Sequence, residues 1–176
     1  MRNMPIALPT LSVLFVCTAN ICRSPTAERV FSKTAASHGF LIQMDSAGTH
    51  DYGNGMPPFP MAVATAKRRG YDLTRKIARQ VRPSDFRRFG LVLAMDRGHL
   101  AHLLAISPRE CRAKVRLLLD FSAKYRGRNV EDPHGGGVAD FEQALDMIED
   151  ASRGYVRQLL RASLAIDAEL RRKSRQ

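Results

Sequence analysis

Cysteine is scarce in this chain: Cys17, Cys22 and Cys111 are the only three in 176 residues. So small and odd a count cannot build a disulfide framework. It fits a reducing compartment, and a cytoplasmic protein is expected. No two of the three stand in C-x-x-C spacing. The five histidines, at 38, 50, 99, 102 and 134, are scattered. His99 and His102 can share a helix face, but two ligands without a third make a poor metal site, so no metal and no cofactor are expected. No apolar run approaches the roughly 18 residues of a bilayer span. The stretch from Arg2 to Ala19 has the outline of a signal peptide, but Pro5 and Pro9 interrupt it and a single charge precedes it. Aromatic residues make up 7%, with no tryptophan. Few of them stand among the cations, so no specific nucleic-acid partner and no membrane partner are expected. Acidic residues are outnumbered, 17 against 28 Lys and Arg, giving a net charge of +11. That excess points to an anionic partner without naming it.

The chain is 44% apolar, enough for a core of its own. Residues 1–10 read as a flexible leader, 11–170 as a single domain and 171–176 as a basic tail. Leu11–Cys17, Phe40–Ser46, Leu91–Met95 and Val115–Leu119 are short apolar runs that read as buried strands. A helix opens at Ser24-Pro25, with Ser24 as its cap, and stops at Gly39. Further helices are expected over 61–69, 83–88 and 97–106, with Asp96 as a cap. A Gly-rich loop at 131–137 then leads into one long helix. Its apolar face is Phe141, Leu145, Ile148, Tyr155, Leu159, Ala162 and Ile166, and it runs from acidic to basic, as the helix dipole favours. Strands alternating with helices predict an α/β fold of three layers: a four-stranded parallel sheet with helices on both faces. Right-handed crossovers then gather Cys17–Ser24, Ser46–Tyr52 and Met95–Asp96 at one sheet edge, where such folds bind ligands.

The loop between the first strand and the first helix carries the chemistry. In Cys17-Thr18-Ala19-Asn20-Ile21-Cys22-Arg23-Ser24, a cysteine ends a strand and an arginine follows six residues later. A short loop before a helix N-terminus aims several backbone N–H groups at one point, which suits a phosphate dianion. Arg23 can hold two phosphate oxygens at once. The same positive potential favours the thiolate, the attacking form of cysteine. Cys17 beneath a bound phosphate is placed for in-line attack.

This loop, followed by Asp45-Ser46-Ala47-Gly48-Thr49, Ala78-Arg79-Gln80-Val81, Met95-Asp96 and Glu131-Asp132-Pro133, resembles the low-molecular-weight protein tyrosine phosphatase family from about residue 11 to 170. The resemblance implies hydrolysis of phosphotyrosine monoesters through a phosphocysteine. Cys17 would be the nucleophile. Arg23 and the backbone of Thr18, Ala19, Asn20, Ile21 and Cys22 would hold the phosphate, with Ser24 assisting the thiolate. Asp132 would be the general acid, then the base. Asn20 and Ser46 would support the loop. Cys22 reads either as a packing residue or, as the resemblance favours, as the partner that traps oxidised Cys17 in a reversible disulfide. The implied partners are phosphotyrosine proteins and a cognate tyrosine kinase, with the enzyme a monomer or weak dimer.

The chain also departs from that pattern. Aromatic residues usually follow the Asp-Pro, but here His134 and three glycines do. His134, with His50 and Tyr52 opposite, is therefore expected at the pocket rim. Lys76 stands where some relatives carry a histidine behind the loop asparagine. The protein arginine phosphatase branch shares Thr18 and a Gly-rich stretch, but it has Thr in place of Ile21. An apolar Ile21 favours an aryl group over a guanidinium. Related arsenate reductases need two later cysteines where this chain offers only Cys111. A basic phosphate- or nucleic-acid-binding module without turnover is the alternative of another class.

Overall fold

The computed structural model describes residues 11–173. Its four strands are β1 (Ser12–Cys17), β2 (Gln43–Gly48), β3 (Leu91–Ala94) and β4 (Val115–Leu117), all parallel, in the order β2-β1-β3-β4. Helices α1 (Arg23–Ser37), α2 (Pro60–Arg68), α3 (Asp85–Arg88), α4 (Arg97–Ile106) and α5 (Val138–Lys173) connect and follow them. The expected fold is the observed one. The leader at 1–10 lies outside the described residues, as do 174–176 of the tail.

β1 is central, so both faces of Val13-Leu14-Phe15-Val16 are covered, and a β-branched and aromatic run is what such a strand requires. On one side Val13 and Phe15 pack with Phe31 of α1 and with Leu145, Ile148 and Tyr155 of α5. On the other, Leu14 and Val16 meet Phe86, Phe89 and Leu103. α5 comes so close to the turn at 118–121 that a Cβ on Gly154 would stand 1.7 Å from the Phe121 carbonyl oxygen, so only glycine fits there.

Four expectations are corrected. β2 starts at Gln43, because Phe40–Ile42 are spent leaving the helix through Gly39, whose φ is +80°. β4 ends at Leu117, where the chain tightens into a 3₁₀ turn. α1 begins at Arg23, with Cys22 at the cap position and no side-chain capping bond; the Ser24 hydroxyl is used elsewhere. Beyond Leu159 every described residue of α5 is exposed, so Ala162 and Ile166 face solvent while the apolar stripe buries only its first half. The helix carries Arg171–Lys173 without a break, so the basic tail starts inside α5.

Candidate active site

Parallel strands deliver their C-terminal ends to one edge, and there Cys17 pairs with Gly48 across β1 and β2. The chain leaves β1 as a tight loop closed by α1. Asn20 sits at its apex with φ +59°, the one non-glycine in the left-handed region among the described residues. Asparagine tolerates that conformation when its side chain is tied locally. Here both ends of the amide are tied: Nδ2 donates to Ser24 Oγ at 2.8 Å, and Oδ1 accepts from the Arg79 backbone N–H at 3.0 Å. Arg79 is fixed in turn, its guanidinium gripping Asp45 and Asp85. The loop is also pressed from outside by residues 49–59, where a Cβ on Gly53 would lie 2.1 Å from the Ala19 carbonyl oxygen.

Cys17 is buried at the loop's floor, with Ser24 Oγ 3.0 Å from its sulfur. Ser24 Oγ also lies 3.2 Å from the Ala47 carbonyl oxygen. Having one proton and an incoming bond from Asn20, the hydroxyl can turn that proton onto a thiolate. Arg23 is 4% exposed. Its Nη1 donates to Asp96 Oδ2 at 2.9 Å and to the Val130 carbonyl at 3.0 Å, while Nη2 donates to Asp132 Oδ2 at 2.9 Å. A buried guanidinium held on one side by Asp96 thus presents its other side to Asp132 and the cavity. Burial opposes ionisation of Asp96. The His99 backbone N–H, the adjacent His99 ring and the charge of Arg23 outweigh it, and hold the carboxyl well below the usual range.

The cavity above Cys17 has a volume of about 370 Å³, within the range of small-molecule sites. Residues 17–19 and 21–23 form its floor, and Tyr52, Met56, Asp132 and His134 form its walls. Among the described residues no cluster of His, Cys, Asp and Glu has the makings of a metal site.

A model of the low molecular weight phosphotyrosine protein phosphatases matches residues 12–168. A low molecular weight protein-tyrosine-phosphatase of Streptomyces coelicolor is 43% identical over 152 residues, 84% of this chain and 92% of that protein. The human low molecular weight phosphotyrosine protein phosphatase is 36% identical over 151 residues, 84% and 94% of the two chains. The chain belongs to this family. It is a hydrolase, a cysteine-based phosphotyrosine phosphatase. Among solved structures, an Entamoeba histolytica protein tyrosine phosphatase superimposes with a TM-score of 0.84 at 34% identity, covering 88% of this chain and 99% of that one. The YwlE arginine phosphatase superimposes with a TM-score of 0.77 at 30% identity, over 85% and 95%.

Within this phosphatase residues 17–19 and 21–23, with Asp132, Tyr52 and His134, converge on one cavity. Asn20 and Ser24 brace the loop from behind it, and Ser46 and His50 lie elsewhere. His50 does not line the cavity: its ring stacks behind Tyr52 at 4.9 Å and meets His102 at 5.7 Å, so it backs the wall. Ser46 Oγ donates to Glu28 of α1, the helix that follows the loop. Lys76 does not replace the missing histidine. It pairs with Glu28 at 2.7 Å, and the Arg79 N–H takes over Asn20. His134 rests edge-on against Phe59, 4.9 Å between centroids, and Phe59 stacks on Phe141. One imidazole with an aromatic backing thus stands where an aromatic pair was absent from the sequence. Sequence reasoning missed Met56, the second role of Asp96, and His99. Asp96 does cap α4, as expected, accepting the His99 N–H at 2.8 Å. Its position at the end of β3 puts it at the site's edge, as the strand topology predicts, but does not by itself reveal the bond to Arg23.

Proposed function

We propose that Cys17 attacks the phosphorus of a bound phosphotyrosine, forming a phosphocysteine, and that Asp132 protonates the departing phenolic oxygen. The observation that carries this is the Arg23–Asp132 contact at 2.9 Å over a buried Cys17. An incoming phosphate dianion takes Asp132's place on Nη2, and the freed carboxyl is left beside the ester oxygen. Arg23 and the loop N–H groups then carry the charge of the transition state, so the reaction needs no metal. In the second step Asp132 accepts a proton from water, which attacks phosphorus and releases Cys17.

Substrate choice follows from the walls. Ile21 and Met56 present hydrocarbon, and Tyr52, 68% exposed, is an open aromatic face. An aryl ring loses nothing in such surroundings, whereas a guanidinium strands its N–H groups. Phosphotyrosine peptides are therefore turned over faster than phosphoarginine peptides, as initial rates on matched peptides will show. Replacing Ile21 with Thr narrows the ratio. A preference for phosphoarginine would keep the nucleophile and change the substrate. Phosphotyrosine proteins, a cognate tyrosine kinase among them, are the partners this reading implies, for a monomeric or weakly dimeric enzyme. The free thiols that the chemistry uses support a cytoplasmic setting.

Cys22 is assigned a protective role. Burial, then the neighbouring Cys17, push its thiol up to about 12, so it holds its proton while Cys17 is a thiolate and leaves the attack on phosphate to Cys17. When a peroxide oxidises the Cys17 thiolate to the sulfenic acid, the Cys22 sulfur displaces the sulfenic oxygen as water and a disulfide closes. Peroxide-treated wild-type enzyme regains its activity with dithiothreitol, and Cys22→Ala does not. Equal recovery of the two would remove the role.

A further inference from the structure

The N-terminus of α4 touches the phosphate loop at both of its ends. Asp96 Oδ1 caps the helix by accepting the His99 N–H, while Oδ2 holds Arg23 Nη1 at the loop's far end. The His99 ring lies between that carboxylate and the loop's first residue. Its Nε2 is 2.8 Å from Thr18 Oγ1, next to the nucleophile, and its Nδ1 is 3.0 Å from Asp96 Oδ1. Nδ1 is buried and makes no aligned hydrogen bond, so the Asp96 carboxylate is the charge it faces. His99 is 6% exposed, and the protein has removed an imidazole from water to place it there. A packing residue would not need nitrogens, because a buried polar ring without partners is destabilising.

We propose that His99 is a positioning residue for the phosphate loop: it fixes Thr18 beside Cys17 and, through Asp96, aims the Arg23 guanidinium. This rests on the phosphatase reading above. The chain Thr18–His99–Asp96–Arg23 ties the two ends of the loop to one rigid helix end, so the loop N–H groups and the guanidinium keep a common target. If the tie is cut, Thr18 is free to rotate and Asp96 loses the ring that fixes it, and both changes loosen the grip on phosphate. His99 touches neither the substrate nor the reacting atoms, so its effect appears in how tightly phosphate is held.

The test uses the full-length enzyme, an aryl phosphate substrate and inorganic phosphate as the binding probe. His99→Leu lowers kcat/KM and phosphate affinity by about tenfold or more, the scale of a lost hydrogen bond to a charged network. His99→Gln, whose amide spans the distance to Thr18, recovers part of both. Thr18→Val keeps the side-chain shape, loses the hydroxyl and weakens phosphate binding in the same direction. The double variant is no worse than His99→Leu, because both changes cut one chain. Unchanged phosphate affinity in Thr18→Val and His99→Leu overturns the proposal. So does a loss confined to melting temperature, or equal losses in Gln and Leu. If His99→Leu does not fold, Thr18→Val and His99→Gln decide by the same criterion. Calorimetric phosphate affinity reads the loop without turnover. A wild type that binds phosphate but hydrolyses no ester therefore fails the phosphatase reading, and the role of His99 is still decided.

Discussion

Asp132→Ala lowers kcat on a phosphotyrosine peptide by about 10²–10⁴-fold, the range of a lost general acid. A tyrosine leaving group has a conjugate acid with a pKa near 10, so it leaves poorly as an anion at neutral pH. The nucleophile and the phosphate grip are untouched, so the loss depends on the leaving group. In kcat/KM, which covers the steps up to the phosphocysteine, the loss is large for tyrosine and small for a strongly acidic phenol that needs no proton. KM does not rise, because Asp132 occupies the Arg23 Nη2 position that the phosphate takes, and its removal ends that competition. A plot of log kcat/KM against leaving-group acidity across a series of aryl phosphates is therefore much steeper for the variant than for wild type. An equal loss for every ester would make Asp132 a structural partner of Arg23 only.

The outline of this site was open to sequence reasoning because it is local. Cys17 through Ser24 is one continuous run, and a strand followed at once by a helix leaves few ways to close the loop. The supporting role of Asn20 came only with the resemblance that this run carries, and Ser24 read as a helix cap as well as a partner of the thiolate. The parallel topology also followed from alternation, and it brings Asp96 and the segment before α5 to the same edge. What escaped was set by side chains meeting across the fold. His99 is 81 positions from Thr18, and nothing in a scattered histidine marks the hydroxyl it meets. Asp96 read as a helix cap because a cap needs only its neighbours. Its other oxygen reaches a residue 73 positions away. Lys76 sat where another residue type was expected, and its answer lies in a backbone N–H at Arg79, which no side-chain pattern encodes. His50 was placed on the rim because it shares a loop with Tyr52, but the loop turns one ring to the cavity and stacks the other behind it. The far half of α5 kept its apolar spacing while losing its partner, and periodicity alone cannot see where the core stops.

The proposed route is covalent, with phosphate passing through the Cys17 sulfur. Cys17→Ser removes the thiolate and leaves the fold, Arg23 and Asp132 in place, so turnover falls by about 10⁴-fold or more while phosphate still binds. Serine at this position lacks the acidity that makes the thiolate available, and Ser24 has no base with which to compensate. The most direct measurement is rapid quenching in acid during turnover of a phosphotyrosine peptide, followed by mass spectrometry of the intact and digested protein. A phosphate adduct on Cys17 is the expected result in wild type. The adduct accumulates further in Asp132→Ala on an ester with an acidic phenol, where its hydrolysis has lost the base. Release of phosphate at the wild-type rate by Cys17→Ser, or an adduct found on Cys22 in its place, would contradict that route.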